Sequence, residues 1–330
     1  MIFEYKSPSG GLLMILLSVI LRFADSSFRC FVASQIRRLP IMIFSPLCCV
    51  MPGALCLILL SMATDGLAQN RALTVKVLSY NILGGRNTDG KRDLNRIAEV
   101  ISTLNPDIVA LQEVDRHTGR LNGVDLAAEL GRLTGMDHVF GRAMKYDGGE
   151  YGEAILSKFP IINITNHALP TVPIDSTGGP QQEVEPRAAL AVELKFPDTE
   201  STFIFIGTHL DHLRDPRNRN IQAKGLLQIA EGYDSVPVIL AGDLNSTPES
   251  EAMVTLRTHW TDAWSGNKAG GTSPRSNRRI DYVLYTPQSR WKVHRTYRGV
   301  DIKKEDPQWQ ALLKVASDHL PVMAELELME

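Results

Sequence analysis

Residues Val236–Pro248 read VPVILAGDLNSTP. The nearly unbroken apolar run Val236–Ala241 fits a strand buried on both faces of a sheet. It runs directly into Gly242-Asp243-Leu244-Asn245, a turn sequence carrying a carboxylate and an amide. A strand that served the core alone has no use for such an ending, and the same construction recurs along the chain. Thr74–Tyr80 (TVKVLSY) is β-branched, alternates, and ends at Asn81; Asp107–Gln112 (DIVALQ) ends at Glu113. The strand Thr202–Gly207 runs into Thr208-His209-Leu210-Asp211-His212. Arg279-Ile280-Asp281-Tyr282 and Ser317-Asp318-His319-Leu320-Pro321 complete the set.

Helical segments lie between these strands. Asp93–Leu104 places Leu94, Ile97, Val100, Ile101 and Leu104 at helical spacing and stops before Pro106. Val124–Leu133 and Asn218–Glu231 predict two more helices, and Ala154–Leu156, Ala188–Leu194, Ile280–Tyr285 and Val322–Leu328 further strands. Loops rich in Gly, Pro and Asn occupy 84–90, 171–186 and 265–278. No repeat period occurs. Strands joined both by helical crossovers and by hairpin-like links predict an α/β sandwich of mixed sheets.

A chain of 330 residues, 44% hydrophobic and 22% charged, is neither disordered nor collagen-like. Lys and Arg number 35 against 37 Asp and Glu. Residues 1–70 hold five of the basic and three of the acidic groups, so 71–330 carries 30 against 34, net −4. A strongly basic nucleic-acid footprint is thereby excluded for the domain as a whole. All four cysteines (Cys30, Cys48, Cys49, Cys56) precede residue 70. Disulfide stapling, zinc–thiolate centres and cysteine nucleophiles are therefore excluded from 71–330.

The first 70 residues read as an address. The apolar stretch Leu39–Met62, broken by Pro40, Pro46 and Pro52, follows Arg37-Arg38 and precedes Ala63–Ala68. That is the order of a signal peptide, with cleavage after Ala68 leaving Gln69. The run is also long enough for a retained anchor. A shorter apolar stretch, Gly11–Ile20, and the rest of the first 35 residues fit neither device, so translation starting near Met42 or Met51 is an alternative. The expectation is a targeting segment over 1–70 and one domain over 71–330. The protein is expected to be secreted, periplasmic or envelope-bound, with membrane contact through the segment if it is not cleaved.

Open α/β folds collect ligands at the C-terminal edges of their strands. If the polar endings converge, one site holds Asn81, Glu113, His209, Asp243, Asn245, Asp281, Asp318 and His319. Four carboxylates crowded together repel one another. A divalent cation relieves the conflict, and hard oxygen donors suit Mg²⁺, with Mn²⁺ or Ca²⁺ as alternatives. The absence of thiolates and the presence of only two imidazoles weigh against zinc.

The blocks SYNIL, LQEVD, YGEAILSKFP, EPRAAL, GTHLDH, GDLNSTP, RIDYVLY and SDHLPV occur in that order between residues 73 and 328. In them the chain resembles the endonuclease/exonuclease/phosphatase superfamily, with its deoxyribonuclease I-like fold. The resemblance implies a four-layer α/β sandwich: two mixed β-sheets face to face with helices outside. It also implies metal-dependent hydrolysis of a phosphodiester by in-line attack of an activated water. In that scheme Glu113, Asp318 and Asn81 bind the metal, and Asn81 also contacts the scissile phosphate. Asp243 orients and deprotonates the water, and Asn245 holds phosphate or nucleophile. His319 faces the phosphate, its tautomer fixed by Asp281. His209 is a second phosphate-facing imidazole, an acid or a stabiliser, with Glu153 as its partner, and Arg187 clamps the phosphate.

The substrate stays open between nucleic acid, phospholipid (as in a sphingomyelinase) and a small phosphodiester. A phosphomonoesterase is the alternative on the same fold, and a non-catalytic binding module the alternative of another class. Loops 142–150, 175–185, 214–220 and 265–279 are expected to decide, with Arg214, Arg217, Arg219, Arg275, Arg278 and Arg279 as steering charges. Asp211 and His212 are expected at the substrate rim or in a structural role rather than in catalysis, and Trp260 and Trp264 in packing. A monomer is expected.

Overall fold

The computed structural model describes residues 72–174, 184–233, 236–264 and 270–329. Residues 1–70, where a targeting segment with its cleavage site is expected, and all four cysteines lie outside the described residues, as do parts of the 171–186 and 265–278 loops.

Two six-stranded sheets form the body. In space the first runs β11 (Trp291–Arg298), β12 (Val322–Leu328), β1 (Leu73–Asn81), β2 (Ile108–Arg116), β4 (Gly149–Ser157), β3 (Asp137–Tyr146). The second runs β5 (Ile161–Ala168), β6 (Ala188–Lys195), β7 (Thr202–His209), β8 (Val238–Asp243), β10 (Asp281–Thr286), β9 (Thr261–Asp262). In each sheet one central pair is parallel, β1 with β2 and β7 with β8, and the other pairs are antiparallel. Each parallel pair is joined by a crossover helix: α1 (Leu94–Leu104) in the first, α3 (Arg217–Glu231) in the second. Such a crossover is what parallel neighbours require.

Strand alternation builds the layers. Val75, Val77, Ile108 and Ala110 point between the sheets, where they meet Leu190, Phe203, Phe205 and Ile239. Leu78, Tyr80, Val109 and Leu111 point outward under α1, α2 (Leu126–Thr134) and α5 (Pro307–Ala316). Ile204, Ile206, Val238 and Leu240 point outward under α3 and α4 (Glu251–Leu256). Central strands buried on both faces explain the unbroken apolar runs. Each large side chain buried in this way contributes roughly 1.5–3 kcal/mol. The result is the expected four-layer sandwich with mixed sheets.

Caps set the helix ends. Asp93 accepts from Asn95 N at 3.1 Å, and Asp125 from Ala128 N at 3.0 Å, so α1 and α2 start one residue after an aspartate. The strands without a clear sequence signal are at or near sheet edges. On β5, Ile162 and Ile164 are half exposed and the polar neighbours are exposed as well, so no two-residue alternation marks it. Among the described residues no helix is long and apolar enough to cross a membrane.

Candidate active site

The parallel pairs end side by side at one edge of the sandwich. Asn81 pairs in register with Gln112, His209 with Asp243, and Asp281 with Asp243. Three chemically active side chains thus stand at one level of the second sheet. Gly242 permits this: a methyl there would run into the Thr208 carbonyl oxygen on β7. The loop before β12 is tied to the first sheet by Ser317, whose hydroxyl donates to the Asn81 carbonyl at 2.6 Å.

Two site residues have left-handed backbone. Glu113 has φ 59° and Asn245 φ 47°. Asn tolerates that conformation, whereas for Glu it costs roughly 1–3 kcal/mol. Glu113 lies where the β2–β4 register slips between Leu111 and Val114, a bulge that turns its carboxylate into the cleft. Facing the bulge is Gly152, where a side chain would run into the Gly141 carbonyl.

A connected chain of contacts links the strand ends. The Asn81 amide donates to Glu113 Oε1 at 3.0 Å and to Asp243 Oδ2 at 3.2 Å, and its Oδ1 accepts from Leu83 N. Asp243 Oδ1 accepts from Asn245 N at 2.9 Å. His319 Nδ1 lies 3.0 Å from Asp281, and its Nε2 is 3.7 Å from Asp243 Oδ2. His209 Nε2 is 3.0 Å from the Asn245 amide and 3.5 Å from Asp243 Oδ2. Arg187 NH1 is 3.0 Å from His209 Nδ1. Of these groups Glu113, Arg187, His209, Asp243, Asn245 and His319 border a cleft of about 370 Å³ whose far wall is Arg120, Met144, Tyr146 and Tyr151.

Electrostatics separates the roles. Asp243 is pushed up to about 7, first by burial and then by the Asp281 charge opposite it. His319 is pulled the other way by its setting. Burial alone would lower it, but the Asp281 charge and hydrogen bond, with Asp243 and Asp318, raise it to about 10. His209 lies well below the usual histidine range, through burial and then the Arg187 charge. One imidazole is therefore held cationic and the other neutral.

The residues from 78 to 319 match the family model described as endonuclease/exonuclease/phosphatase family. The chain belongs to this family. It is 28% identical over 199 residues to carbon catabolite repressor protein 4 homolog 3 of Arabidopsis thaliana, covering 53% of this chain and 40% of that protein. The chain thus spans less than half of that relative's length. Among solved structures it resembles the endonuclease/exonuclease/phosphatase of Beutenbergia cavernae, with TM-score 0.60, 24% identity, and coverage of 78% and 72% of the two chains. It also resembles mannosyl-6-phosphatase Bt3783 of Bacteroides thetaiotaomicron, with TM-score 0.56, 22% identity, and coverage of 76% and 99%. These likenesses establish the fold.

The family is generally dependent on a divalent cation, and the residues present fit one. Asp243, Asp281 and His319 can each bring a ligand atom within 4.8 Å of the others. His319 is cationic there and its Nδ1 is taken up by Asp281, so we read this trio as a hydrogen-bonded unit rather than a cage. Glu113 gives one oxygen to Asn81 and no donor among the described residues reaches the other. Asp318 Oδ1 is buried without a hydrogen-bond partner, an oxygen that a hard cation satisfies. As placed, Asn81 offers its amide NH₂ to the carboxylates and gives its oxygen to the backbone, so it acts as a donor and not as the cation ligand expected of it.

The structure brings together Asn81, Glu113, Arg187, His209, Asp243, Asn245, Asp281 and His319. Asp318 stands at the margin: its Oδ2 is 3.6 Å from Arg275, and it borders a neighbouring cavity with Leu313 and Leu320. Glu153 departs from its expected role. It is fully buried, its Oε2 has no partner, and burial pushes it up to about 8; Arg187, not Glu153, meets His209 Nδ1. Arg187 also reaches His212 Nδ1 at 3.1 Å and Glu185 at 2.9 Å. Two expected steering charges serve the fold instead. Arg219 donates to the Asp211 and Leu213 carbonyls. Arg279 grips Asp262 at 2.6 and 2.7 Å over the Tyr282 ring.

Met144 and Tyr146 of the far wall fall in the segment 142–150 expected to shape the substrate site, whereas Arg120 and Tyr151 were not anticipated from the sequence. Arg120 is held by the fully buried Asp115 at 2.9 and 3.0 Å and lies over Tyr146 and Tyr151. The Asp in LQEVD carries the signal: an acidic residue inside a buried strand needs a partner, and Arg120 is the arginine five residues on.

Proposed function

We propose that this chain is an exported or envelope-associated, divalent-metal-dependent phosphoesterase that hydrolyses a phosphodiester by in-line attack of water. The observation that carries it is the Asp243 carboxylate. It is buried beside a cationic His319, tuned toward neutrality, and open to a cleft rimmed by hydrogen-bond donors. A base with this affinity for protons can be ionised at pH 7 and still take a proton from water. Asp243 thus aligns the water and receives its proton. His319, locked by Asp281, His209 and the Asn245 amide line the place where charge grows on the phosphoryl oxygens, and stabilising that charge is the main source of rate in such reactions. Glu113 and Asp318 are the residues that would hold the cation, which supplies positive charge to the phosphoryl group when bound.

A phosphomonoester is the second reading. The cleft is modest, about 370 Å³, and much of its border is the Arg120–Tyr146–Tyr151 wall, a size that suits a small alcohol group. The fold likeness to a sugar phosphatase agrees with it. The test is turnover of bis-p-nitrophenyl phosphate and p-nitrophenyl phosphate with Mg²⁺ or Mn²⁺, with EDTA, and with Asp243→Ala. Cation-dependent release of nitrophenol lost in the folded variant supports the proposal. Equal turnover by the variant, or none by the wild type on either ester, contradicts it.

A further inference from the structure

The guanidinium of Arg187 meets His209 where most orienting partners are carboxylates. Arg187 precedes β6 and is 2% exposed, its NH1 3.0 Å from His209 Nδ1. A guanidinium only donates hydrogen bonds. His209 Nδ1 must therefore present its lone pair, and the single proton of the neutral ring sits on Nε2. That nitrogen faces the cleft, beside the Asn245 amide and 3.5 Å from Asp243 Oδ2. The Asn245 NH₂ is already given to the Leu210 carbonyl at 3.1 Å, so the Nε2–H is directed past it toward Asp243 Oδ2 and the cleft, where it stays available to a substrate. Protonating Nδ1 would place an imidazolium N–H against a buried guanidinium, with no water between them to screen the two charges.

His319 has the opposite wiring. Its Nδ1 faces the Asp281 carboxylate, so it donates there and its cation is favoured. Equivalent-looking histidines, each at the end of a strand or beside one, are thereby given different states by their partners. The groups around Arg187 fit this division. His212 and Glu185 receive its second nitrogen, and the buried Glu153 feels its charge.

We propose that Arg187 is a positioning residue that fixes His209 as the neutral Nε2–H tautomer, so that His209 serves as a directed hydrogen-bond donor to the substrate and transfers no proton. This rests on the hydrolase reading above and replaces the acid role expected for His209. It also replaces the phosphate-clamp role expected for Arg187. His209 keeps its proton throughout; the proton of the attacking water goes to Asp243, and the leaving oxygen departs with the electron pair of the broken P–O bond as an anion that solvent protonates.

The experiment uses the full chain labelled with ¹⁵N-histidine, with Mg²⁺, at pH 7. Two-bond ¹H–¹⁵N correlations distinguish the two neutral tautomers and the cation, and loss of signals in His209→Gln assigns the residue. The expected wild-type pattern is an unprotonated Nδ1 and a protonated Nε2. Arg187→Lys, still a pure donor, keeps that pattern. Arg187→Gln, whose amide can accept as well as donate, gives a tautomer mixture, with kcat on bis-p-nitrophenyl phosphate down about 100-fold and KM changed far less.

A wild-type Nδ1–H or imidazolium pattern at His209 overturns the inference, and that spectrum needs no variant. So does an Arg187→Gln protein with the wild-type pattern and kcat. Turnover with the wrong tautomer overturns this inference alone. A protein with the expected tautomer that hydrolyses neither ester overturns the hydrolase reading and the catalytic half of the inference with it.

Discussion

Replacing Asp243 by asparagine should stabilise the protein while abolishing its activity. The carboxylate is fully buried at the end of β8, opposite Asp281. Its pKa rises from 3.8 in the unfolded chain to about 7 in the fold. A group raised in this way contributes nothing adverse below the unfolded value. Its ionised form then costs stability progressively as pH rises from about 4, and the cost is complete above about 7. At about 1.36 kcal/mol per pH unit the full cost is ~4 kcal/mol. An asparagine does not recover all of it, because its NH₂ group meets the Asn81 amide that now donates to Asp243 Oδ2. The expected gain is about 1–3 kcal/mol, or roughly 3–9 °C in Tm for a domain of this size. The assay is thermal unfolding of wild type and Asp243→Asn in EDTA, where no cation offsets the charge, at pH 4, 6 and 8. The gain should be largest at pH 8 and turn into a loss of about 1–3 kcal/mol at pH 4, where the charge cost is gone and only the mismatch with the Asn81 amide remains. A destabilised variant at pH 8, or a difference that ignores pH, is incompatible with a carboxylate whose charge the fold penalises.

The pH profile of kcat should rise as Asp243 ionises through about 7 and fall as His319 loses its proton through about 10, read with a substrate whose leaving group does not titrate there. Asp281→Asn removes the charge that keeps His319 cationic, so the upper limb should move to lower pH, and kcat at pH 9 should fall relative to pH 7. Glu113→Gln keeps the shape but loses a charged donor oxygen, and Mn²⁺ binding measured by calorimetry should weaken by about 10- to 100-fold, in line with roughly 1.5–3 kcal/mol for a charge-assisted contact. Ile239→Ala, in the dry space between the sheets, should cost about 2–5 kcal/mol by denaturant unfolding and leave KM unchanged.

The central strands were legible because burial on both faces forces unbroken apolar composition, and the functional side chains were legible because each interrupts such a run at its end. Asp243, His209 and Asp281 share a level of the sheet for a reason the pattern could carry: they stand at the ends of neighbouring strands. What the pattern could not carry was pairing across long sequence separations. Arg187 and Glu153 are both buried, and only the folded arrangement shows that the guanidinium takes the His209 ring nitrogen. Edge strands such as β5 escaped because residues on both of its faces are exposed, which removes the demand for alternation. The Arg120 wall escaped because the Asp115–Arg120 pair spans a turn in which neither residue marks the end of an apolar run.

If water guided by Asp243 attacks phosphorus at this cleft, the new bond can be followed with an isotope. Hydrolysis of a phosphoester is run in H₂¹⁸O, and the products are read by mass spectrometry. The expected pattern is one ¹⁸O atom in the phosphoryl product and none in the released alcohol, with both product and label lost in Asp243→Ala. Label in the alcohol, or labelled phosphoryl product formed at the wild-type rate by Asp243→Ala, would contradict attack at phosphorus through this carboxylate.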